Sequence, residues 1–270
     1  MRDVTDMKLL LKLMYDGTAY HGFQYQPNAV SVQGVLTEKI SAAFGFPCTV
    51  TGCSRTDSGV HALGYCAAVE PASGDVGEAW CSIPAGKVHR LLNMHLPDDI
   101  SVIGACMTED SFHPRYSAVS KEYIYLINDK PYPDPFKRNR AYHVKRPISD
   151  AGIELMNEAA GMLLGRHDFS GFMASGSSVK DTVRNLVRLD VQRRCDGEVV
   201  LTAAADGFLY NMVRILTGTL LDVASGKLSA SDMKKILEKT DRSAAGFTAP
   251  AHGLYLNKVN YGEDIVFLAE

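Results

Sequence analysis

Strand-like and helix-like patterns alternate along this chain, and a similar order of elements occurs twice. The first half predicts a strand, a helix, two strands, a helix and a strand at 8–15, 31–44, 48–53, 64–69, 84–96 and 100–107. The second half predicts a similar order at 121–128, 149–164, 182–194, 198–205, 208–224 and 254–259, with an added short helix at 229–239. Hairpin signals among the strands favour α+β over a doubly wound parallel fold. We therefore expect two similar α/β sandwich halves, 1–108 and 109–270, that share a mixed, largely antiparallel sheet.

The composition sets limits on the class of protein. The chain has 270 residues, of which 46% are hydrophobic, so it can bury a sizeable core. No apolar run is long enough for a membrane span or a signal peptide, so we predict a cytoplasmic protein. None of the six cysteines forms a C-x-x-C pair and there is no H-E-x-x-H, so no metal site is expected. A net charge of −3 argues mildly against nucleic acid as a partner, but basic clusters at 137–146 and 180–194 allow one basic face.

A polar segment interrupts two predicted strands in "TGCSRTDSGVHALGYCAAV", residues 51–69. Arg55, Asp57 and His61 all lie in this link. Asp-Ser-Gly is good turn sequence, so from the residues alone a plain connecting turn is the favoured interpretation. The functional alternative is an ionised carboxylate at the end of a strand, which can attack carbon, take a proton or stabilise an electron-poor sugar carbon.

Two further positions have both a structural and a functional interpretation. Arg214 projects away from the apolar stripe of the predicted helix at 208–224, so it is either solvated or a charge partner for a carboxylate. Tyr123 and Tyr125 share one face of a strand, and Ile124 and Leu126 share the other. Both faces are apolar, so the tyrosines either pack in the core or form a platform under a nucleic-acid base.

Signatures of several other enzyme classes are missing from the chain. There is no G-x-G-x-x-G, no P-loop, no G-x-S-x-G elbow and no P-C-x-x-C deaminase motif. The sequence therefore offers no support for a dinucleotide enzyme, a P-loop NTPase, an α/β-hydrolase or a zinc deaminase.

Ordered blocks of sequence resemble the tRNA pseudouridine synthase A family. "SRTDSGVHALG" resembles that family's G-R-T-D-x-G-V-H-A, and "YDGTAYHGFQYQP" resembles its opening Y-D-G-x-x-Y-x-G-W-Q-x-Q. "LNMHLPDDI", "FHPRYSAVSKEYIYLI", "GRHDFSGF", "NMVRILTG" and "HGLYL" match later blocks in the family's order. The resemblance runs from about residue 15 to residue 256.

The resemblance implies a fold, a reaction and a set of roles. The family has the pseudouridine synthase fold with a central cleft, acts as a homodimer, and needs no metal or other cofactor. It isomerises uridine to pseudouridine at positions 38, 39 and 40 of the tRNA anticodon stem-loop. By this match Asp57 is the catalytic aspartate, and Arg55 contacts phosphate or fills the space that the target base leaves. Tyr123 packs on the target base, Arg214 pairs with the aspartate, and Leu254 belongs to a pocket wall, which Ile124 and Leu126 would extend.

The chain departs from the family pattern at two positions. Ser54 replaces the usual glycine before Arg55, and Phe23 replaces the usual tryptophan. Ser54 adds a Cβ and a hydroxyl beside the predicted catalytic turn, which can change the backbone geometry or an RNA contact.

Two other functions remain as alternatives at this point. The first is a non-catalytic RNA-binding protein with the same fold, although such a protein could lose Asp57 and this chain has it. The second is a glycosidase-like hydrolase, for which two carboxylates at a matched spacing are expected and only Asp57 is a convincing candidate.

Overall fold

The structure is a computed structural model that describes residues 7–72, 84–177, 179–262 and 265–268. The chain forms two compact units. The first contains the residues up to Val119 together with those from Leu256 onward, and the second contains Ser120–Tyr255. Cys81 and the residues around it lie outside the described part of the chain.

The first unit is built around strand β1 (Met7–Tyr15). Its other strands and its helices are β2 (Cys48–Gly52), β3 (His61–Pro71), β4 (Ile100–Glu109), α1 (Val32–Phe44) and α2 (Ala85–Asn93). β1 pairs antiparallel with β3 and β4, and β2 pairs antiparallel with β3. The side chain of Ser31 accepts a hydrogen bond from the Gly34 N–H and so caps the start of α1, which ends at Gly45 with φ 79°.

The second unit is built around strand β5 (Ser120–Asn128). Its other elements are β6 (Tyr142–His143), α3 (Asp150–Gly161), β7 (Gly165–Asp168), β8 (Val183–Arg193), β9 (Val199–Ala205), α4 (Met212–Ala224) and α5 (Asp232–Lys239). β5 pairs with β9, β9 with β8 and β8 with β7, all antiparallel, whereas the short β6 lies parallel to β5. The last strand, β10 (Leu254–Asn260), begins in this unit and continues into the first.

The two units repeat one connectivity. A strand (β1 or β5) is followed by a helix (α1 or α3) and then by two antiparallel strands, of which the second pairs with the first strand of the unit. The unit then continues into another helix (α2 or α4) and a strand (β4 or β10). The predicted α+β class, the duplication and the largely antiparallel pairing are thus confirmed.

The corresponding hairpins differ at their turns, and this difference locates the candidate site. In the second unit β8 and β9 are joined by a short turn in which the Arg194 N–H donates to the Glu198 carbonyl at 2.7 Å. In the first unit the polar segment 53–60 joins β2 to β3. A tight turn would suffice for the pairing, so the longer polar loop is not needed to form the hairpin.

Several boundaries differ from the prediction. The compact units divide after Val119 rather than at 108/109, because the loop after β4 belongs with the first unit. β6 and β7 are additional strands, too short to give a periodic signal. α4 begins at Met212 rather than at 208, because Asn211 has a left-handed backbone with φ 59°.

No helix in the described residues is both long enough and apolar enough to span a bilayer.

Candidate active site

The loop that carries Asp57 is fixed by the segment that follows β1. The Phe23 N–H donates to the Thr56 carbonyl at 3.1 Å, and the Gly59 N–H donates to the Tyr20 carbonyl at 3.3 Å. The Tyr15 hydroxyl lies 2.8 Å from the Thr56 hydroxyl oxygen. These bonds lie on both sides of Asp57, so they determine the path of the backbone through the aspartate.

Two glycines allow this close approach of backbone to backbone. A Cβ on Gly17 would lie 2.0 Å from the Val60 carbonyl oxygen. A Cβ on Gly22, which has φ +88°, would lie 2.5 Å from the Thr56 carbonyl oxygen. The blocks "YDGTAYHGF" and "SRTDSGVHA" therefore pack directly against each other, although about 40 residues separate them in the sequence.

Asp57 begins a turn in which the Val60 N–H donates to the Asp57 carbonyl at 3.1 Å. Its neighbours Thr56 and Val60 are buried, whereas Asp57 is partly exposed and Arg55 is exposed. The buried neighbours anchor the loop in the core of the first unit. The loop thus presents a carboxylate and a guanidinium from a fixed backbone.

His61 supports this loop from the start of β3. Its side chain is buried, and its Nδ1 lies 3.0 Å from the Gly17 N and 3.2 Å from an Asp16 carboxylate oxygen. A ring nitrogen that accepts from the Gly17 N–H carries no proton, so it cannot also donate to Asp16. We take the Gly17 contact as the hydrogen bond, because a backbone N–H is always a donor. His61 is then a supporting residue.

Phe23 and Ser54, the two departures from the family pattern, both fit the loop. Phe23 is buried and stacks on Tyr65 with ring centroids 4.3 Å apart. The Tyr65 hydroxyl in turn donates to the Ser54 carbonyl. Among the described residues other than glycine, only Asn211 and Thr240 have a positive φ, so the backbone at Ser54 does not require glycine.

In the second unit, Tyr123 and Tyr125 lie on one face of β5, as the alternation predicts. Tyr123 is 6% exposed and meets Phe208 edge to face, with ring centroids 5.1 Å apart. Tyr125 is fully buried and donates its hydroxyl to the Pro250 carbonyl at 2.7 Å. Burial raises the pKa of the Tyr125 hydroxyl, and the positive charge of Arg214 acts in the opposite direction.

The other face of β5 belongs to a separate apolar cluster. Ile124 packs there with Val200 and Tyr255, and Leu126 lies against them. The prediction that Ile124 and Leu126 form a wall beside Tyr123 is therefore wrong, because successive side chains of a strand alternate between faces. Leu254 precedes Tyr255 on β10, so by the same alternation it projects to the face of Tyr123.

Arg214 is partly buried and bonded within its own unit, so the solvated interpretation is wrong. Its Nε donates to the Ala249 carbonyl at 2.7 Å, and its NH1 donates to the Asn211 side-chain oxygen at 2.6 Å. The Ala249 N–H donates to the Arg214 carbonyl at 3.1 Å, so both side chain and backbone of Arg214 bind the same residue. Arg214 and Tyr125 therefore anchor consecutive carbonyls, those of Ala249 and Pro250, just before Leu254.

The predicted site residues thus form two groups. Asp57 and Arg55 lie on the β2–β3 loop of the first unit, while Tyr123, Arg214 and Leu254 belong to the second unit. The sequence reasoning missed Asn211, whose left-handed backbone starts α4 and whose side chain fixes Arg214. Its signal was an asparagine just before an apolar helical pattern, since asparagine tolerates that conformation better than most residues.

No described group of three or more His, Cys, Asp or Glu side chains is placed to bind a metal ion. The four described buried cysteines, Cys48, Cys53, Cys66 and Cys106, are all free thiols. Burial raises the pKa of the Cys106 thiol to about 11, so it stays protonated and unreactive at neutral pH.

Known proteins of one family match this chain over nearly its whole length. The family model described as tRNA pseudouridine synthase matches residues 13–117 and 159–262. A tRNA pseudouridine synthase A of Thermoanaerobacter sp. (strain X514) is 45% identical over 253 residues, which cover 94% of this chain and 99% of that protein. The proteins of the same name from Bacillus subtilis (strain 168) and Ruminiclostridium cellulolyticum are each 42% identical, with the same coverage of both chains. The chain belongs to the tRNA pseudouridine synthase family.

Proposed function

We propose that this protein isomerises uridine to pseudouridine in tRNA, at positions 38, 39 and 40 of the anticodon stem-loop. The observation that carries the proposal is the fixed polar loop with Asp57, which lies within the first family match. A hairpin does not need this loop, whereas a carboxylate-dependent reaction needs a carboxylate on a fixed backbone. Uridine and pseudouridine have the same composition, so the reaction adds no group to the nucleotide and removes none.

The chemistry follows from the bonds that change. The bond from ribose C1′ to uracil N1 breaks, and a bond from C1′ to C5 forms. C5 loses its hydrogen as a proton, and N1 gains one, so no redox partner is needed. The Asp57 carboxylate either attacks C1′ or removes the proton from C2′, and both steps require its ionised form.

The other residues serve binding and protection of the reacting sugar. Extrusion of a base from its stack costs a few kcal/mol, and an aromatic ring at Tyr123 restores part of that stacking. Arg55 contacts phosphate or occupies the vacated space, and Arg214 supplies positive charge as uracil departs with negative charge. Leu254 helps to exclude water, which would otherwise trap the sugar and release free uracil.

The protein acts as a homodimer in the cytoplasm. Its buried cysteines are unbridged in the described residues, which suits a reducing compartment.

Nucleoside analysis of unmodified tRNA incubated with the protein tests the proposal. If the uridines carry tritium at C5, each isomerisation releases one tritium to water, so the rate can be followed directly. We expect pseudouridine at positions 38–40 and no tritium release from a tRNA with cytidine there. Free uracil without pseudouridine would instead identify a hydrolase, and stable binding without either product would identify an RNA-binding protein.

A further inference from the structure

A groove of about 280 Å³ lies in the first unit beside the Asp57 loop. Its lining includes Ser54 and Arg55 from that loop, and His113, Arg115 and Tyr116 from the segment after β4. Two arginines and no acidic side chain occur among the described lining residues, so the groove favours an anion. The proposed chemistry does not use His113, Arg115 or Tyr116.

The segment after β4 is rigid enough to form a binding surface. The N–H groups of Arg115 and Tyr116 both point at the His113 Nδ1, at 3.1 and 3.4 Å. The His113 N–H donates to the Ser117 hydroxyl at 3.1 Å. The Tyr261 hydroxyl donates to the Pro114 carbonyl at 2.8 Å, which fastens the segment to the body of the unit.

This rigid turn presents an aromatic ring to solvent. Tyr116 is 77% exposed, and the Arg115 guanidinium lies 5.7 Å from its ring centroid. The His113 ring lies 4.4 Å from the Tyr116 ring. An exposed ring beside guanidinium groups is the combination that binds single-stranded nucleic acid, where the base stacks and the cations contact phosphate.

We propose that this groove binds the nucleotide next to the target uridine in the RNA, with its base on Tyr116 and its phosphate at Arg55 and Arg115. The inference rests on the proposed function. The distance is suitable, because two trans peptides place the Arg55 Cα less than about 8 Å from the Asp57 Cα. Ser54 also lines this groove, so this chain's departure from the family glycine lies in the proposed subsite.

The test measures equilibrium affinity for three anticodon stem-loop RNAs: the intact RNA, and RNAs with an abasic nucleotide on the 5′ or on the 3′ side of the target uridine. We expect one abasic RNA to bind the unaltered protein about 5- to 150-fold more weakly than the intact RNA. Tyr116→Ala should weaken binding of the intact RNA by a similar factor and cause no further loss on that abasic RNA. Tyr116→Phe should retain most of the affinity, because it keeps the ring.

Two controls make the result specific. Met94 is 76% exposed in the same unit and outside the groove, so Met94→Ala should bind all three RNAs like the parent. Arg115→Gln should reduce the slope of log affinity against log salt by about 1.

Equal affinity of the parent for all three RNAs would overturn the proposal, even if Tyr116→Ala failed to fold. A Tyr116→Ala variant with unchanged RNA affinity and an altered sedimentation coefficient would show instead that the groove contacts a second copy of the chain. Failure of the proposed function is separate, because it appears as a parent protein that forms no pseudouridine.

Discussion

Arg214 is fixed by two hydrogen bonds inside its own unit, to the Ala249 carbonyl and to the Asn211 side chain. Asn211 has a left-handed backbone, which asparagine tolerates better than most residues, and the bond from Arg214 helps to stabilise it. The guanidinium therefore has a structural role in addition to its proposed role in binding the substrate. Because of this dual role, removal of the Arg214 side chain should affect stability as well as rate.

Arg214→Ala should lower both stability and rate. Loss of the two bonds should reduce the free energy of unfolding by about 1–3 kcal/mol, because charged donors contribute more than neutral ones. The single-turnover rate at a temperature where the variant is folded should fall by orders of magnitude. Arg214→Lys should recover part of the lost stability and part of the lost rate, since an ammonium supplies charge without the planar fork.

Arg166 provides the matched control, because it is an exposed arginine on β7 of the same unit. Arg166→Ala should stay within about 0.5 kcal/mol of the parent and react at the parent's rate. Parent-like single-turnover kinetics in Arg214→Ala would contradict the proposed role of Arg214.

At the scale of elements, one ion pair joins three parts of the second unit. Asp129 follows β5, and its side chain is only 5% exposed. Its carboxylate accepts hydrogen bonds from both terminal nitrogens of Arg193, at the end of β8, at 3.0 and 2.8 Å. It also accepts a hydrogen bond from the Ile148 N–H, just before α3, at 2.8 Å. Arg193 also donates to the Ile148 carbonyl at 2.6 Å. Burial alone would raise the pKa of the Asp129 carboxyl, but the bonds from Arg193 and Ile148 outweigh it and the pKa is lowered.

Arg193→Met should therefore destabilise the protein by about 3–5 kcal/mol, because it leaves a buried carboxylate without its partner. The pair's contribution should also depend on pH. A lowered folded pKa stabilises the protein above the unfolded value of about 3.9, and this contribution is lost as the pH falls through the folded value. Urea unfolding between pH 3 and pH 7 should thus show a steeper acid loss for the parent than for Asp129→Asn. Equal slopes would show that the pair contributes nothing.

Sequence periodicity predicted the regular elements well, because burial on one side of a strand or helix leaves a repeating trace. The predicted strand at 121–128 is β5 with one added residue, and the serine before α1 caps that helix. The start of α4 was wrong, because the left-handed Asn211 depends on a contact with Arg214. The carbonyls of Ala249 and Thr56 fix site residues as well, and a backbone acceptor has no sequence signal at all.

At the scale of the molecule, the order of elements predicted the duplication, but the unit boundary depends on tertiary contacts. Residues 256–270 belong with a unit that otherwise ends at Val119, and no local pattern encodes such a return. The site was likewise predictable only in part, because some of it depends on tertiary contacts. The resemblance predicted Asp57 and Tyr123. The Tyr116 groove was not predictable, because it is formed by the Asp57 loop and the segment after β4, which are distant in the sequence.

The basic clusters predicted from the sequence are partly neutralised. Arg188 pairs with Asp190 and Glu122, Arg193 pairs with Asp129, and Lys137 pairs with Glu198. Other members of the two clusters, Arg138, Lys145, Arg146, Lys180 and Arg194, are exposed. These exposed side chains are the candidates for phosphate contacts.

RNA binding should weaken as salt rises, despite the net charge of −3. Each neutralised phosphate releases counterions, so log affinity should fall linearly with log salt, with a slope of about −0.7 to −0.9 for each phosphate contact. Arg138→Gln should make the slope shallower by about 1, while Arg188→Gln, whose guanidinium already binds two carboxylates, should change it little. An affinity that is flat between low and moderate salt would contradict this prediction.

The most direct test of the account is the activity of Asp57→Asn on tRNA labelled with tritium at uridine C5. The substitution is nearly isosteric and removes only the charge that the proposed chemistry needs. We predict no tritium release and no pseudouridine, with tRNA affinity and melting temperature close to the parent's. Asp98→Asn, the same change at an exposed aspartate outside the loop, should react like the parent. Pseudouridine formation by Asp57→Asn at a rate comparable to the parent's would contradict the assignment of Asp57 as the catalytic carboxylate.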